Sequence, residues 1–245
     1  MLTAMGPLQK AFHAIIFPVY VFTVYYYHEV MVIPPGEFGY SITYEVIGGH
    51  WKYLTFLTAV LQCVFFGLCA LNDFLGSETL IHNKRSFLQK LRDVLLPTVV
   101  LPLGVFVPLI FWGLYAVDRE LIFPVSMDAW FPGWLNHLMH TLPFFASIIE
   151  IIVTNHVYPK GGMLYFPIVV ASALYIFWLC FIAHHTGFWV YPVFEVLDFK
   201  SRALFMASLV PPNLLFVFLG QKLHLGVWGT VKGASKRRGK KDKSQ

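Results

Sequence analysis

The stretch PGWLNHLMHT, residues 132–141, carries the polar groups in this sequence that are best suited to chemistry. Asn136, His137, His140 and Thr141 open a segment that continues as apolar residues, and polar side chains in such a segment usually face a bundle interior or a cavity. On a helix, Asn136 and His140 share one face, so the amide is placed to orient the imidazole. A histidine at this position is suited to act as a general base, and it is equally suited to form a hydrogen bond between helices.

A threonine hydroxyl becomes a useful nucleophile where a base removes its proton during attack. Thr55 is a candidate for this role, although a threonine in a membrane helix usually bonds to the carbonyl four residues earlier. Ester cleavage also needs donors for the tetrahedral oxyanion, for which Asn136 and Lys52 are candidates. A free carboxylate on a lipid substrate would suit Arg119 or Lys52.

The composition indicates a polytopic membrane protein. Hydrophobic residues make up 57% of the 245 residues and charged residues 13%, whereas roughly 25% of residues are charged in soluble domains. The net charge of +5 comes largely from the C-terminal tail, so it does not indicate a nucleic-acid partner. Cys63, Cys69 and Cys180 all lie in apolar segments, which argues against an exposed disulfide framework.

Six apolar segments predict an all-α bundle of six transmembrane helices forming one catalytic domain over residues 1–231. A turn-rich loop follows the first of them. Prolines inside the third and sixth segments predict bends. The predicted helices cover residues 11–33, 52–75, 94–116, 132–153, 164–185 and 203–223.

The distribution of basic residues predicts that both termini are cytosolic. With six helices, fourteen of the 18 Lys and Arg residues fall on the side of the termini and four on the other side, as the positive-inside rule requires of a cytosolic side. The basic tail, residues 232–245, is predicted to be disordered, and it is suited to contact with anionic lipid headgroups.

This topology brings polar residues from four helices into the non-cytosolic half of the bundle. Thr55 and Asn136 with His140 lie near the starts of the second and fourth helices. Three residues at helix ends on the same side are further candidates for a second layer around the site. His137 is a fourth candidate for this layer. These end residues are Asp118, His184 and His185.

Several motifs resemble one known family in order and spacing over about residues 12–223: the androgen-induced and androgen-dependent (tissue factor pathway inhibitor-regulating) proteins. The motifs are GGHWKYLTF (48–56), FFG (65–67), YAVDRELIFP (115–124), PGWLNHLMHT (132–141) and HTGFWVYP (185–192). The resemblance implies a cofactor-free membrane threonine hydrolase that cleaves fatty acid esters of hydroxy fatty acids. It implies Thr55 as the nucleophile and His140 as the catalytic histidine. It also implies a branched lipid ester as substrate and a location in an endomembrane, such as the endoplasmic reticulum, or in the plasma membrane.

Three other classes remain open from the residues alone. A haem electron-transfer protein would need histidine pairs near both membrane surfaces, and His13 has no evident partner in the sequence. A zinc-dependent lipid hydrolase could use His137, His140 and His184 as ligands, although we predict no metal. A non-catalytic lipid-binding or transport protein would use the same cavity without chemistry.

Overall fold

The computed structural model describes residues 5–31 and 47–241, with the backbone alone for residues 5, 82 and 230–241, and the described chain is helical without strands. Most of the loop predicted after the first helix, and the last two residues predicted for that helix, lie outside this range. The α-helices are α1 (Met5–Tyr25), α2 (Leu54–Leu75), α3 (Phe87–Leu95), α4 (Leu101–Asp118), α5 (Gly133–His140), α6 (Leu142–Val153), α7 (Phe166–Thr186), α8 (Pro192–Val196), α9 (Phe199–Ser208) and α10 (Val210–Lys241).

The predicted all-α membrane fold is confirmed. Five continuous stretches are long and apolar enough to cross a membrane. A sixth span forms if α5 and α6, which are bent by 41° relative to each other, are counted together. The protein is therefore a multi-pass membrane protein with five to six spans. The five stretches are Gly6–Val30, Leu54–Leu75, Phe87–Leu121, Phe166–Thr186 and Phe199–Gly229.

The third span begins earlier than the sequence predicts because the chain contains a strong start signal at Ser86. The Ser86 hydroxyl accepts a hydrogen bond from the Gln89 backbone N–H at 3.1 Å, which caps α3. Arg92 consequently lies in a helix and is fully buried, rather than in the connection between the second and third predicted helices. A π-helical turn over Leu96–Val100, which contains Pro97, links α3 to α4.

The last predicted span is divided at Leu209 into α9 and α10. Asp198 caps α9 by accepting a hydrogen bond from the Ser201 backbone N–H at 2.7 Å. The break comes just before Pro211 and Pro212, which lack backbone N–H groups and are tolerated at a helix start. α10 continues to Lys241 and so includes the first ten residues of the tail. This is reasonable because a helix already formed extends readily into Ala, Lys and Arg residues.

Aromatic side chains form the core that joins α1, α2 and α6. Tyr20 and Phe66 are fully buried and stack with ring centroids 5.7 Å apart. A second apolar cluster, which includes Phe56, Phe111 and Met139, surrounds the start of α2 and the end of α5. The two clusters hold α2 against α5, and this packing brings Thr55 and His140 together.

Candidate active site

Thr55 and His140 are in direct contact. The Thr55 Oγ1 atom lies 3.2 Å from His140 Nε2. On the other side of the ring, Nδ1 lies 2.6 Å from the Asn136 side-chain oxygen and 3.1 Å from the Asn136 backbone oxygen. Both oxygens accept hydrogen bonds, so Nδ1 carries the proton and Nε2 is left to accept the Thr55 hydroxyl proton. The imidazole is therefore in the tautomer that a general base requires.

A break in the helix positions His140. Pro143 cannot donate a backbone hydrogen bond and its ring clashes with the carbonyl four residues earlier, so α5 ends at His140 and α6 begins at Leu142. The Trp112 indole N–H donates to the His140 carbonyl at 2.8 Å, at the point where the two helices meet. The Phe111 ring stacks on the imidazole with centroids 3.6 Å apart and planes inclined by 14°. Adjacent residues of α4 thus hold both the backbone and the ring of His140.

The start of α2 is held by two tyrosines that the sequence analysis did not identify. The Leu54 backbone N–H donates to the hydroxyls of Tyr175 at 2.9 Å and Tyr191 at 3.0 Å. The Tyr175 hydroxyl in turn donates to the Lys52 backbone oxygen at 3.0 Å. Tyr191 belongs to the HTGFWVYP motif, which is the only sequence signal that pointed to this contact. The hydrogen bonds of Tyr175 and Tyr191 fix the turn that precedes Thr55.

A glycine in the GGHWKYLTF motif permits the turn that carries Lys52. Gly48 has a φ of 80°, which side chains other than glycine rarely adopt. A Cβ atom at this position would also lie 2.9 Å from the Trp178 ring. The following 3₁₀ turn, Gly49–Lys52, leads directly into α2.

Lys52 and the first turn of α2 offer positive charge beside Thr55. Lys52 is buried, lines the same cavity as Thr55, and has its pKa lowered to about 8 by that burial. Backbone N–H groups in the first turn of a helix have no acceptor within the helix, and the helix dipole is positive there. The Leu54 N–H is already bonded to the two tyrosine hydroxyls. The N–H groups of Thr55 and Phe56, together with Lys52, are therefore the candidates to stabilise an oxyanion formed next to the Thr55 hydroxyl.

Thr55 lies where two cavities meet. Cavity A has a volume of about 380 Å³ and contains Lys52, Met127 and His140 in its lining. Cavity B has a volume of about 540 Å³ and is lined almost entirely by apolar residues, among them Ala171 and Leu179. Both volumes are within the range of small-molecule sites. The residues shared by the two linings are Thr55, Phe111, Ile122 and Tyr191.

Arg119 does not line either cavity. Its guanidinium donates to both carboxylate oxygens of Asp128, at 2.9 and 2.7 Å, and its Nε atom donates to the Phe123 carbonyl at 3.1 Å. The Arg119 guanidinium, a candidate partner for a substrate carboxylate, is thus engaged in a bidentate ion pair with Asp128. Among the cavity-lining residues that the structure describes, Lys52 is the one lysine or arginine.

The other candidates for a second layer around the site lie away from the cavities. Asp118 is exposed and accepts the Glu120 backbone N–H at 3.0 Å. His137 is exposed and lies 3.1 Å from the Thr141 hydroxyl, while His185 is exposed and bonds to the Phe181 carbonyl at 2.9 Å. His184 is also exposed. None of these side chains forms part of either described lining.

The zinc set considered from the sequence is not assembled in the described structure. His140 faces Thr55 and Asn136, whereas His137 and His184 point to the surface at the ends of different helices. Within residues 5–31 and 47–229, the one group of three potential ligands close enough to share a metal ion is His13, Cys69 and Glu150. That group is far along α2 from Thr55.

Asn136 offers a graded test of the site. Replacing Asn136 with alanine removes one of two acceptors of the His140 Nδ1 proton and leaves the backbone carbonyl in place. We expect ester turnover to fall by about tenfold, the equivalent of one ordinary hydrogen bond, with little change in KM. Steady-state kinetics of the purified variant measure this effect, and Asn136→Asp should retain more activity than Asn136→Ala because it keeps an acceptor. A loss equal to that of a His140 variant would contradict a purely orienting role.

Comparison with known proteins places the chain in a family. The sequence profile described as FAR-17a/AIG1-like protein matches residues 8–225. The Homo sapiens androgen-induced gene 1 protein is 39% identical over 207 residues, covering 81% of this chain and 86% of the relative. The Homo sapiens androgen-dependent TFPI-regulating protein is 36% identical over 191 residues, covering 78% and 83%. No solved structure matches at a significant level. The chain therefore belongs to the FAR-17a/AIG1-like protein family.

Proposed function

We propose that this protein is an integral membrane hydrolase that cleaves the ester bond of fatty acid esters of hydroxy fatty acids. The observation that carries the proposal is the contact of the Thr55 hydroxyl with the unprotonated nitrogen of His140, at the junction of two largely apolar cavities. A branched lipid ester has the matching shape, because one hydrocarbon arm leaves each side of its ester group.

The first half of the reaction forms an acyl-enzyme. The Thr55 oxygen attacks the ester carbonyl carbon while His140 Nε2 takes the hydroxyl proton. The backbone N–H groups in the first turn of α2 stabilise the resulting oxyanion. When the tetrahedral intermediate collapses, the bond to the alcohol oxygen breaks, that oxygen takes the proton from His140, and the hydroxy fatty acid leaves.

The second half returns the enzyme to its starting state. Water attacks the acyl-threonine carbonyl while His140 takes one of its protons. Collapse of this second intermediate breaks the bond to the Thr55 oxygen, which recovers its proton from His140, and the fatty acid leaves. The step consumes one water and releases two fatty acids in total.

The linings of the two cavities suit different arms of the proposed substrate. Cavity A contains Lys52, which suits the free carboxylate of the hydroxy fatty acid. Cavity B contains no Lys, Arg, Asp or Glu among its described lining residues, which suits the hydrocarbon chain of the acyl group. Accordingly, the acyl arm extends into cavity B and remains on Thr55 after the first half of the reaction.

Filling one cavity should change selectivity for one arm. We expect Ala171→Trp, in cavity B, to lower kcat/KM about tenfold for a long acyl arm and to spare an acetyl ester of the same hydroxy fatty acid. Met127→Trp, in cavity A, is the matched variant and should discriminate on the length of the hydroxy acid arm instead. Both effects are measured by kcat/KM for four substrates, which combine a long or short acyl arm with a long or short hydroxy acid arm. Identical selectivity changes in both variants would contradict the assignment of arms.

The direct test of the proposed function is hydrolysis by the purified full-length protein in neutral detergent. Mass spectrometry should detect both fatty acids in equal amounts, and rapid acid quenching should trap an acyl group on the peptide that contains Thr55. A chelator should leave the rate unchanged. Binding of the ester without any product would instead indicate a lipid-binding or transport protein, and product formed without a Thr55 adduct would exclude the covalent mechanism.

A further inference from the structure

The wall of cavity B is closed on most sides by helices that pack against each other. Residues of α2, α4, α7, α9 and α10 line the cavity. In this group α2 packs on α4, α4 packs on α10, and α10 packs on α7. Leu179 of α7 and Met206 of α9 also belong to one buried apolar cluster. The wall is therefore continuous from α2 through α4, α10 and α9 to α7.

The same wall is not closed directly between α2 and α7. Over their whole lengths, which the structure describes, these two helices do not pack closely against each other. They are joined near the start of α2, where the Tyr175 hydroxyl accepts the Leu54 backbone N–H at 2.9 Å and Gly48 lies against the Trp178 ring. Beyond this junction, towards the middle of the membrane, a gap separates α2 from α7.

Two apolar stripes border this gap. Leu57 and Leu61 are four residues apart on α2, and Ala171 and Leu174 are three residues apart on α7, so each pair lies on one helix face. All four side chains line cavity B. None of them is buried: Leu174 is 63% exposed, and the other three are half-buried. The outer surface of a membrane-spanning helix faces lipid, so cavity B opens towards the bilayer here. We call these four residues the lateral seam.

The two cavities lie at different depths. Many residues that line cavity A belong to connections outside the spans, at residues 122–131 and 188–192, and its lining residues Phe188 and Glu195 are exposed. Most residues that line cavity B belong to the spans themselves. Cavity A with Lys52 is therefore nearer the membrane surface, and cavity B is at the depth of the hydrocarbon. A lipid in a leaflet has the same order, with its polar group at the surface and its chain inside.

We propose that the lateral seam is the portal through which the acyl chain of a lipid substrate enters cavity B directly from the bilayer. The inference rests on the proposed function for the identity of this lipid. Leu57 and Leu61 follow Thr55 by two and six residues, or about 3 and 9 Å along α2, so a chain that passes the seam lies beside the nucleophile. On this route the methylene groups stay in apolar surroundings, whereas a path through water would expose them unfavourably.

A bulky group attached at the seam should block the portal. Leu174→Cys, in a protein that also carries Cys63→Ser and Cys180→Ser, is assayed before and after reaction with a large membrane-permeable maleimide. The modification should lower kcat/KM about tenfold for a long-chain ester in phospholipid vesicles, because it slows association. A water-soluble short-chain ester should keep its rate, since it reaches Thr55 through cavity A.

The native Cys180 supplies the matched control. It is exposed on α7, six residues after Leu174, and it lines neither described cavity. Six residues turn a helix by about 240°, so Cys180 is on a different face from the seam. Modification of Cys180 in the protein that carries Cys63→Ser alone should spare both substrates. An unchanged rate on the vesicle-borne ester after modification of Leu174→Cys would overturn the portal.

Photolabelling follows the same route without ester cleavage. A fatty acid with a diazirine within its chain is supplied in phosphatidylcholine vesicles to the Thr55→Ala protein, and mass spectrometry locates the label. We expect label on the seam residues, and excess long-chain ester should compete it away. Label on Leu215, which is 50% exposed on α10 and lines neither described cavity, should persist.

The position of the label decides the outcome if the maleimide lowers the rates on both substrates. Label that competes at the seam supports the portal. Label that competes only at residues 122–131 and 188–192, around cavity A, would overturn it and indicate entry from the membrane surface. A protein that is labelled competitively at the seam and cleaves no ester would keep the portal and contradict the proposed hydrolase.

Discussion

Replacing Thr55 with alanine is expected to lower the rate of ester hydrolysis by about a thousandfold or more, because the variant has no nucleophile to accept the acyl group. His140→Ala should be similarly inactive, since general base catalysis alone contributes about 10²- to 10⁴-fold. The double variant should be no worse than either single variant, because the two groups act as one unit in 3.2 Å contact. Initial rates with the purified proteins measure all three.

Two matched controls separate loss of chemistry from loss of structure. Thr58→Ala changes the same residue type one turn further along α2, where the hydroxyl is buried and makes no hydrogen bond in the described structure, so its rate should be near wild type. His137→Ala removes the exposed histidine of α5 and should also be nearly silent. A Thr55→Ala protein that retains a near wild-type rate would refute the nucleophile assignment. Inactivity of His137→Ala together with His184→Ala would revive the zinc-dependent alternative.

The second large effect is expected at Lys52, in the recognition of the free carboxylate. Lys52→Met should lower kcat/KM for a free-acid substrate by about 10- to 100-fold, the equivalent of a charge-assisted hydrogen bond. The methyl ester of the same substrate should lose much less. Lys200→Met is the control, because Lys200 is exposed and lines neither described cavity. Equal losses on both substrates would contradict carboxylate recognition by Lys52.

The same preference should depend on pH. Burial lowers the Lys52 pKa from 10.5 to about 8, so the ammonium group is charged below pH 8 and neutral above it. The ratio of kcat/KM for free acid to that for methyl ester should therefore fall as the pH rises through about 8, while effects of His140 on both substrates cancel in the ratio. Glu195 also lines this cavity. Lys52→Arg should keep the ratio constant, because arginine remains charged.

Several features of this protein follow from the sequence alone. The apolar composition and the spacing of apolar segments determine a helical membrane protein, because every backbone polar group within a bilayer must be paired inside the chain. The spacing of four residues between Asn136 and His140 determines that they share a helix face. The break between α9 and α10 comes just before Pro211 and Pro212, whose effect on a helix is local. These properties depend on neighbours in the chain, so local rules are sufficient to predict them.

The tertiary structure alone decided which distant residues meet. Thr55 and His140 are 85 positions apart, and their contact depends on the packing of α2 against α5 and on the hydrogen bond from Trp112 to the His140 carbonyl. Charge and residue type did not reveal the pairing of Arg119 with Asp128 or the exposure of His184. Burial of Arg92, His13 and Glu150 in one network was equally hidden. Side-chain partners across helices depend on the rotation and depth of each helix, and single-sequence patterns specify these only to within several residues.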